Sequence, residues 1–222
     1  MVKQEYIDFL NTYLPFLKKM SSDERENFFK KIVLRHFPAG EIVSNNETCS
    51  GMIIIFQGQV RAYIGSKHGK QITIYRLLEG DVCVLSASCV MKNLTFDVTI
   101  ETEKDSEILV LPSEHFDQYV KNNTFFKDYV LAIMSQRLSD ALFLIEQTLF
   151  SKFDKRLADF ILEQASIDGS NTVKITQDAI ANHLGTAREV VTRMMNYFEH
   201  EGYIELFRGG FKIINEKALA NL

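Results

Sequence analysis

Ile175-Thr-Gln-Asp-Ala-Ile-Ala-Asn-His-Leu-Gly-Thr-Ala-Arg-Glu-Val-Val-Thr-Arg-Met-Met-Asn-Tyr-Phe198 reads as two short helices interrupted at Gly185. Ala179, Ile180 and Leu184 form one apolar stripe at helical spacing, and Val190, Val191, Met194, Met195 and Phe198 form a second. A glycine just past the last periodic residue stops a helix because, lacking Cβ, it enters the left-handed region without strain. Two helices joined by so short a turn cross steeply, as in a helix-turn-helix. Thr176 and Thr186 stand where N-caps belong, and Glu189 follows Thr186 at the spacing of a capping box.

The same periodicity predicts an outer face on the second helix carrying Arg188, Glu189, Thr192 and Arg193. Arginine offers two donors to a guanine edge and glutamate accepts from cytosine N4, so this face has the chemistry to read base pairs in a major groove. A competing reading makes Glu189 a mere cap and the arginines solvated charges. Gly202-Tyr-Ile-Glu-Leu-Phe-Arg-Gly-Gly-Phe-Lys-Ile-Ile214 favours the first, because two alternating apolar runs around Gly209-Gly210 predict a hairpin. Helix, turn, helix and hairpin make a winged helix, with Arg208 and Lys212 flanking the tip where phosphates would pass. Thr176, Gln177 and Thr186 complete the set of candidate DNA contacts.

Charge argues mildly the other way. The whole chain holds 25 Lys and Arg against 29 Asp and Glu, and residues 151–222 hold nine against ten. Phosphate binding usually leaves a basic footprint, so four cations and two helix N-termini on one face must supply the local potential, and modest non-specific affinity follows. A hydrophobic share of 46% is enough for real cores, in one large or two ordinary domains. No apolar run reaches membrane-spanning length and the first thirty residues are too charged for a signal peptide, which points to a cytoplasmic protein with no membrane partner. Cys49, Cys83 and Cys89 form no C-x-x-C pair, and so odd and sparse a set predicts free thiols acting as small buried hydrophobes.

Upstream, residues 3–35 mix apolar and charged positions at helical spacing, predicting two or three short helices broken at Pro15 and Ser21-Ser22, with Ser22 as a helix start. Six strands are predicted between residues 40 and 111: Glu41 to Ser44, Met52 to Phe56, Gln59 to Ile64, Gln71 to Leu77, Asp97 to Glu101 and Glu107 to Leu111. Glycine-bearing turns separate them, the texture of a compact all-β barrel or sandwich. A short helix over Ser113 to Val120 leads to a long one over Thr124 to Leu149, free of Gly and Pro. Leu131, Met134, Leu138, Leu142, Ile145 and Leu149 recur there at steps of three and four, the seam of a coiled coil, which predicts a homodimer. Residues 150–154 read as a hinge, and Lys155 to Gln164 as the first helix of the winged domain.

This order resembles the cyclic-AMP receptor protein and fumarate-nitrate regulator (CRP/FNR) family of bacterial transcription factors over nearly the whole chain. The resemblance rests on Ile53-Ile-Ile-Phe-Gln-Gly-Gln-Val60, Leu78-Glu-Gly-Asp81, Asp154-Lys-Arg-Leu-Ala158 and Leu184-Gly-Thr-Ala-Arg-Glu-Val-Val-Thr-Arg193. It implies an α+β chain: a sensor domain over 1–123 built on a cyclic-nucleotide-binding-like double-stranded β-helix (β-roll), a dimerisation helix over 124–150, and a winged helix-turn-helix over 151–222. It also implies a non-enzymatic dimer reading inverted half-sites about one helical turn apart, with RNA polymerase as a further partner. By the same likeness Glu189 and Arg193 share a G·C pair and Arg188 takes a second guanine, on half-sites that are TGTGA-like or TTGAT-like.

In the sensor segment Gly80-Asp-Val-Cys-Val-Leu-Ser-Ala-Ser-Cys-Val-Met-Lys-Asn-Leu-Thr-Phe-Asp97, Leu85 stands where cyclic-nucleotide binders of the family place a glutamate, and Phe96-Asp97 where they place Arg-Ser. An aspartate repels a cyclic phosphate, so cyclic AMP is not the expected effector. No cysteine precedes Cys49, which argues against the iron-sulfur cluster of the fumarate-nitrate branch. The expected effector is a small neutral or weakly cationic molecule touching Leu85, Ser86, Ser88, Phe96, Asp97 and Arg137. Haem, through His36, His68, His115 or a cysteine, and a thiol switch through Cys83 and Cys89 are the alternatives. A cupin-type metalloenzyme lacks its His-x-His pair within residues 40–111, and no catalytic or metal-binding residues are expected. A protein-interaction module that does not bind DNA is the rival from another class.

Overall fold

The computed structural model describes residues 3–45, 48–66, 69–90 and 98–222, the side chains at 88–90, 149 and 150 excepted. Its chain divides into two compact units, residues 1–65 with 74–141 and residues 66–73 with 142–222.

The first unit opens with α1 (Gln4–Tyr13), a 3-10 turn at Pro15–Lys19 and α2 (Ser22–Lys31). α2 starts at Ser22, as expected, and Ser21 caps it: the Ser21 hydroxyl accepts from Glu24 N at 3.3 Å, and the Glu24 carboxylate accepts from Ser21 N at 2.8 Å. The strands are β1 (Val33–Phe37), β2 (Ile42–Ser44), β3 (Met52–Gln57), β4 (Val60–Gly65), β5 (Gln71–Leu77), β6 (Val82–Cys83), β7 (Thr99–Thr102) and β8 (Ser106–Leu111). They form two four-stranded sheets, ordered β1-β8-β3-β6 and β2-β7-β4-β5.

β3 shows why the roll holds together. Met52 to Ile55 are all fully buried, and the strand period of two sends Met52 and Ile54 to a cluster with Leu10, Phe28, Phe116 and Phe126. Ile53 and Ile55 point the other way, into a core with Val60, Ala62, Leu77 and Ile100. Both faces of this strand are covered, which is why it reads as a continuous apolar run.

All six expected strands are present within the described residues, their ends moved by a residue or two. β1 falls where helix was expected to continue; it is an edge strand held by pairing from Val33↔Val110 to Phe37↔Ser106, partners more than sixty residues away that local periodicity does not reveal. β6 is two residues long and leaves no periodic signal.

The expectation of three free thiols is overturned at Cys49, which is disulfide-bonded, whereas Cys83 is free and buried. Folding of the roll sets the β2–β3 connection beside the 3-10 segment Leu85–Val90: Ser44 Oγ donates to Ser86 O at 3.2 Å and Gly51 N to the same oxygen at 3.2 Å. Sequence spacing carries no trace of that juxtaposition.

After α3 (Ser113–Asn122), α4 (Thr124–Phe150) runs 27 residues, with Asn123 Oδ1 accepting from Phe126 N at 2.9 Å at its start. Phe126 and Val130 face the core, and Met134 packs against both core clusters of the roll.

The second unit contains α5 (Phe153–Asp168), β9 (Thr172–Val173), α6 (Gln177–Leu184), α7 (Arg188–His200), β10 (Ile204–Phe207), β11 (Gly210–Ile213) and α8 (Glu216–Ala220). Its sheet runs β10-β11-β9. One core gathers Leu157, Ile161, Val173, Ile180, Val191, Met195, Phe198 and Phe211. Ile72 and Thr73 join it through an antiparallel bridge, Ile72↔Leu184, and a 2.8 Å hydrogen bond between Thr73 Oγ1 and His183 Nδ1. The two-residue β9 and the five-residue α8 were not expected, being too short for periodicity to show.

Candidate nucleic-acid interface

Thr176 caps α6 as expected, its hydroxyl accepting from Ala179 N at 3.1 Å. Replacing it with alanine is expected to lower stability by about 1 kcal/mol, within a range of about 0.5–2, in urea titration. Gly185 ends the helix at φ 66° and ψ 33°, and Arg156 of α5 donates to the part-buried Leu184 carbonyl at 2.7 Å. The stop between the helices is thus fastened from behind by a guanidinium.

Thr186 does not cap α7. Ala187 occupies the N-cap position without a side-chain bond, and its carbonyl accepts from Val190 N at 3.0 Å. The connection is one residue longer than the capping-box reading required, which places Glu189 at the second helical position instead of the third. Glu189 is exposed there and suits the positive N-terminal end of the helix.

Val191, Met195 and Phe198 turn inward on α7, which leaves Arg188, Glu189, Thr192, Arg193 and Asn196 around an open groove on its outer face. Arg188 and Arg193 are both exposed. Arg188 Nη1 lies 3.4 Å from Asp178 Oδ2, and Thr192 Oγ1 donates to Gln177 Oε1 at 2.6 Å, so two residues of α6 orient two of α7. Asn196 escaped the sequence reading, although it stands one turn beyond Thr192. Its amide can bond adenine N6 and N7 together.

The hairpin turn is Arg208-Gly209 rather than Gly209-Gly210, since Phe207 pairs with Gly210. Gly209 takes the positive φ of the turn, 86°. Gly210 is needed for another reason: a Cβ there would come within 2.1 Å of the Val173 carbonyl oxygen. Arg208 and Lys212 are exposed on this wing.

In the first unit, Leu85 and Ser86 are buried, and the Ser86 hydroxyl faces the carbonyls of Gly51 at 2.5 Å and Cys83 at 3.0 Å. The Arg137 guanidinium lies 4.3 Å from the centre of the Tyr75 ring, and its Nη1 donates to Asp140 Oδ2 at 2.8 Å. Its Nε is buried without a partner. Tyr75, which sequence reasoning missed, is held protonated well above the ordinary tyrosine range by burial first and then by the Cys83 thiol 3.5 Å from its hydroxyl. Phe96, Asp97, His68 and the side chain of Ser88 lie outside the described residues. Among the described residues no group of three or more His, Cys, Asp and Glu side chains is placed to hold a metal, and no helix is long and apolar enough to cross a membrane. His36 is instead engaged with Glu107 at 3.4 Å and His115 with Glu114 at 3.6 Å.

Residues 155–222 match the family model described as a Crp-like helix-turn-helix domain, and residues 34–123 match the cyclic nucleotide-binding domain. A crystal structure from Eubacterium rectale ATCC 33656, assigned to the Crp/Fnr family of transcriptional regulators, is 40% identical, with a TM-score of 0.91 over 95% of this chain and 98% of that one. The chain belongs to the Crp/Fnr family of transcriptional regulators. Electron transport regulator A of Shewanella oneidensis is 24% identical over 82% of this chain and 74% of its own length. Transcriptional regulatory protein btr of Bordetella pertussis is 23% identical over 74% of this chain and 70% of its own. The α+β architecture expected from the sequence, β-roll, long helix and helix-turn-helix, is that of this Crp/Fnr member, and α6 and α7 belong to its DNA-binding domain.

Proposed function

We propose that this Crp/Fnr regulator binds an inverted-repeat operator as a homodimer, with α7 of each protomer in the major groove, under control of a small molecule that is not a cyclic nucleotide. The observation that carries this reading is the outward display of Arg188, Glu189, Thr192 and Arg193 on a helix whose opposite face is packed. Glu189 and Arg193 read a shared G·C pair, Arg188 reads a second guanine once it leaves Asp178, and Arg208, Lys212, Thr176, Gln177 and Thr186 meet the backbone.

The partner for α4 is its twin. Leu131, Leu138, Leu142 and Ile145 keep 64%, 62%, 58% and 53% of their surface exposed, an apolar row at coiled-coil steps. Met134 belongs partly to the roll, and the side chain of Leu149 lies outside the described residues.

The effector contacts in this reading are those expected from the sequence, Leu85, Ser86, Ser88, Phe96, Asp97 and Arg137. The unpartnered Nε of Arg137 asks for an acceptor atom on the ligand, while Leu85 supplies apolar surface in place of a ribose-binding carboxylate.

The deciding experiment is Arg193→Ala titrated against duplexes with inverted TGTGA or TTGAT half-sites and against scrambled duplexes. Loss of one bidentate base contact is expected to weaken the matched site by about 1–3 kcal/mol, roughly 5- to 150-fold, with little change on scrambled DNA. Equal loss on both would reduce Arg193 to a phosphate contact. No shift with any duplex at low salt would favour the protein-interaction module.

A further inference from the structure

Five side chains line the open groove on the outer face of α7, and they are not equally free. Arg188 is engaged with Asp178 and the Thr192 hydroxyl donates to Gln177, whereas Glu189, Arg193 and Asn196 make no side-chain hydrogen bond or ion pair among the described residues. Those three stand at steps of four and three, which sets them in one row along the helix. We infer that Asn196 is a specificity-determining residue that reads an adenine beside the G·C pair of Glu189 and Arg193, its Oδ1 accepting from adenine N6 and its Nδ2 donating to N7. The inference rests on the proposed function, since it needs α7 in the major groove.

Asn196 has no local occupation. Asparagine is a poor helix former because its amide competes for nearby backbone groups, and it is best placed at caps and turns. Asn45, Asn123 and Asn215 are used in that way, each Oδ1 accepting from the backbone N–H three residues on, at Thr48, Phe126 and Ala218. Asn196 stands instead inside the 13-residue α7 and is exposed. A residue that weakens its helix and gains no side-chain bond within the protomer breaks a local rule, and such breaks gather at functional positions.

Its position suits an adjoining base pair. Three residues advance an α-helix by about 4.5 Å, against about 3.4 Å between successive bases of a strand, so a helix lying along the groove brings Asn196 to the pair next to the one Arg193 meets. TGTGA and TTGAT share the step GA. With the G·C pair of Glu189 and Arg193 at that guanine, the adenine falls to Asn196. The amide is neutral, so it adds discrimination between bases rather than attraction to phosphate, which fits a second unit whose cations do not outnumber its carboxylates.

The test uses whichever inverted repeat, TGTGA or TTGAT, wild type binds more tightly at low salt. In one half-site the adenine of the GA step is kept, exchanged for G, C or T, or replaced by 7-deazaadenine, which lacks only the N7 acceptor. Wild type is expected to bind the adenine duplex about 5- to 150-fold more tightly than the G, C and T duplexes and to lose part of that preference with 7-deazaadenine. Asn196→Ala is expected to bind all five alike, at the level wild type shows on the exchanged duplexes, with its melting temperature unchanged because the side chain is exposed. Wild type that ignores the exchange, or that binds adenine and 7-deazaadenine equally, overturns the inference. So does Asn196→Ala that keeps the preference for adenine, whether at full affinity or uniformly weakened as loss of a phosphate contact would give. A lowered melting temperature in Asn196→Ala would make the residue structural and overturns it too. Wild type that binds matched and scrambled duplexes equally strikes the proposed function and this inference with it, whereas indifference at the adenine alone strikes only the inference.

Discussion

Exchanging Leu138 and Leu142 for glutamate is expected to turn the regulator into a monomer and to weaken its binding to an inverted-repeat operator at least about a hundredfold. Each leucine fully buried at a seam contributes roughly 1.5–3 kcal/mol, and a symmetric interface loses each of them twice. The substitution also sets four carboxylates along one apolar row, where desolvation and like-charge repulsion act together. Both side chains are more than half exposed in the single chain, so their removal leaves the protomer's own core intact and the roll should keep its melting temperature. A monomer must bind the two half-sites as independent events. It thereby forgoes an effective concentration that raises the affinity of linked modules by about 10²–10⁴. Sedimentation equilibrium reads the first effect and fluorescence anisotropy on the operator the second. A dimer of unchanged mass would remove α4 as the shared seam and, with it, the geometry that aims two copies of α7 at successive grooves.

What could be read from the sequence follows from where each signal resides. The helix-turn-helix was legible because its information is local: Gly185 as a stop, Thr176 as a cap, and an inner row ending in Val191, Met195 and Phe198 at steps of four and three. The outer row was legible as the remainder of that pattern. Thr186 misled because [ST]-x-x-E fits a cap with either of two turn lengths, and only the fold chooses between them. Gly210 misled in a similar way, since a glycine required by the close approach of Val173 looks the same in sequence as one required by a turn. β1 was invisible for a stronger reason. It depends on a partner brought in by the whole roll, and no window of the chain holds both halves. Asp178 beside Arg188 and Gln177 beside Thr192 belong to the same class, contacts between helices that a helical wheel drawn for one helix leaves out.

Phe198→Ala is expected to lower the melting temperature of the second unit by roughly 12–40 °C and to abolish DNA binding above the new midpoint. Phe198 is fully buried, with Tyr197 and Tyr203 ring centres at 6.1 and 5.9 Å, in the one core that holds α5, α6, α7 and the wing. Truncating such a phenylalanine costs about 3–5 kcal/mol through lost transfer energy and the cavity left behind, a large part of the 5–15 kcal/mol that typically separates folded from unfolded states. Phe198→Leu, which refills most of the volume, is expected to recover more than half of the loss. The comparison with Arg193→Ala is what makes the result informative about function. Arg193 is on the outer face of the same helix, and its removal is expected to leave the melting temperature nearly unchanged while weakening the matched operator. One substitution removes what holds α7 and the other removes what α7 presents. If Arg193→Ala melted the unit as Phe198→Ala does, the arginine would be structural, and the outer face of α7 would lose its claim to read DNA.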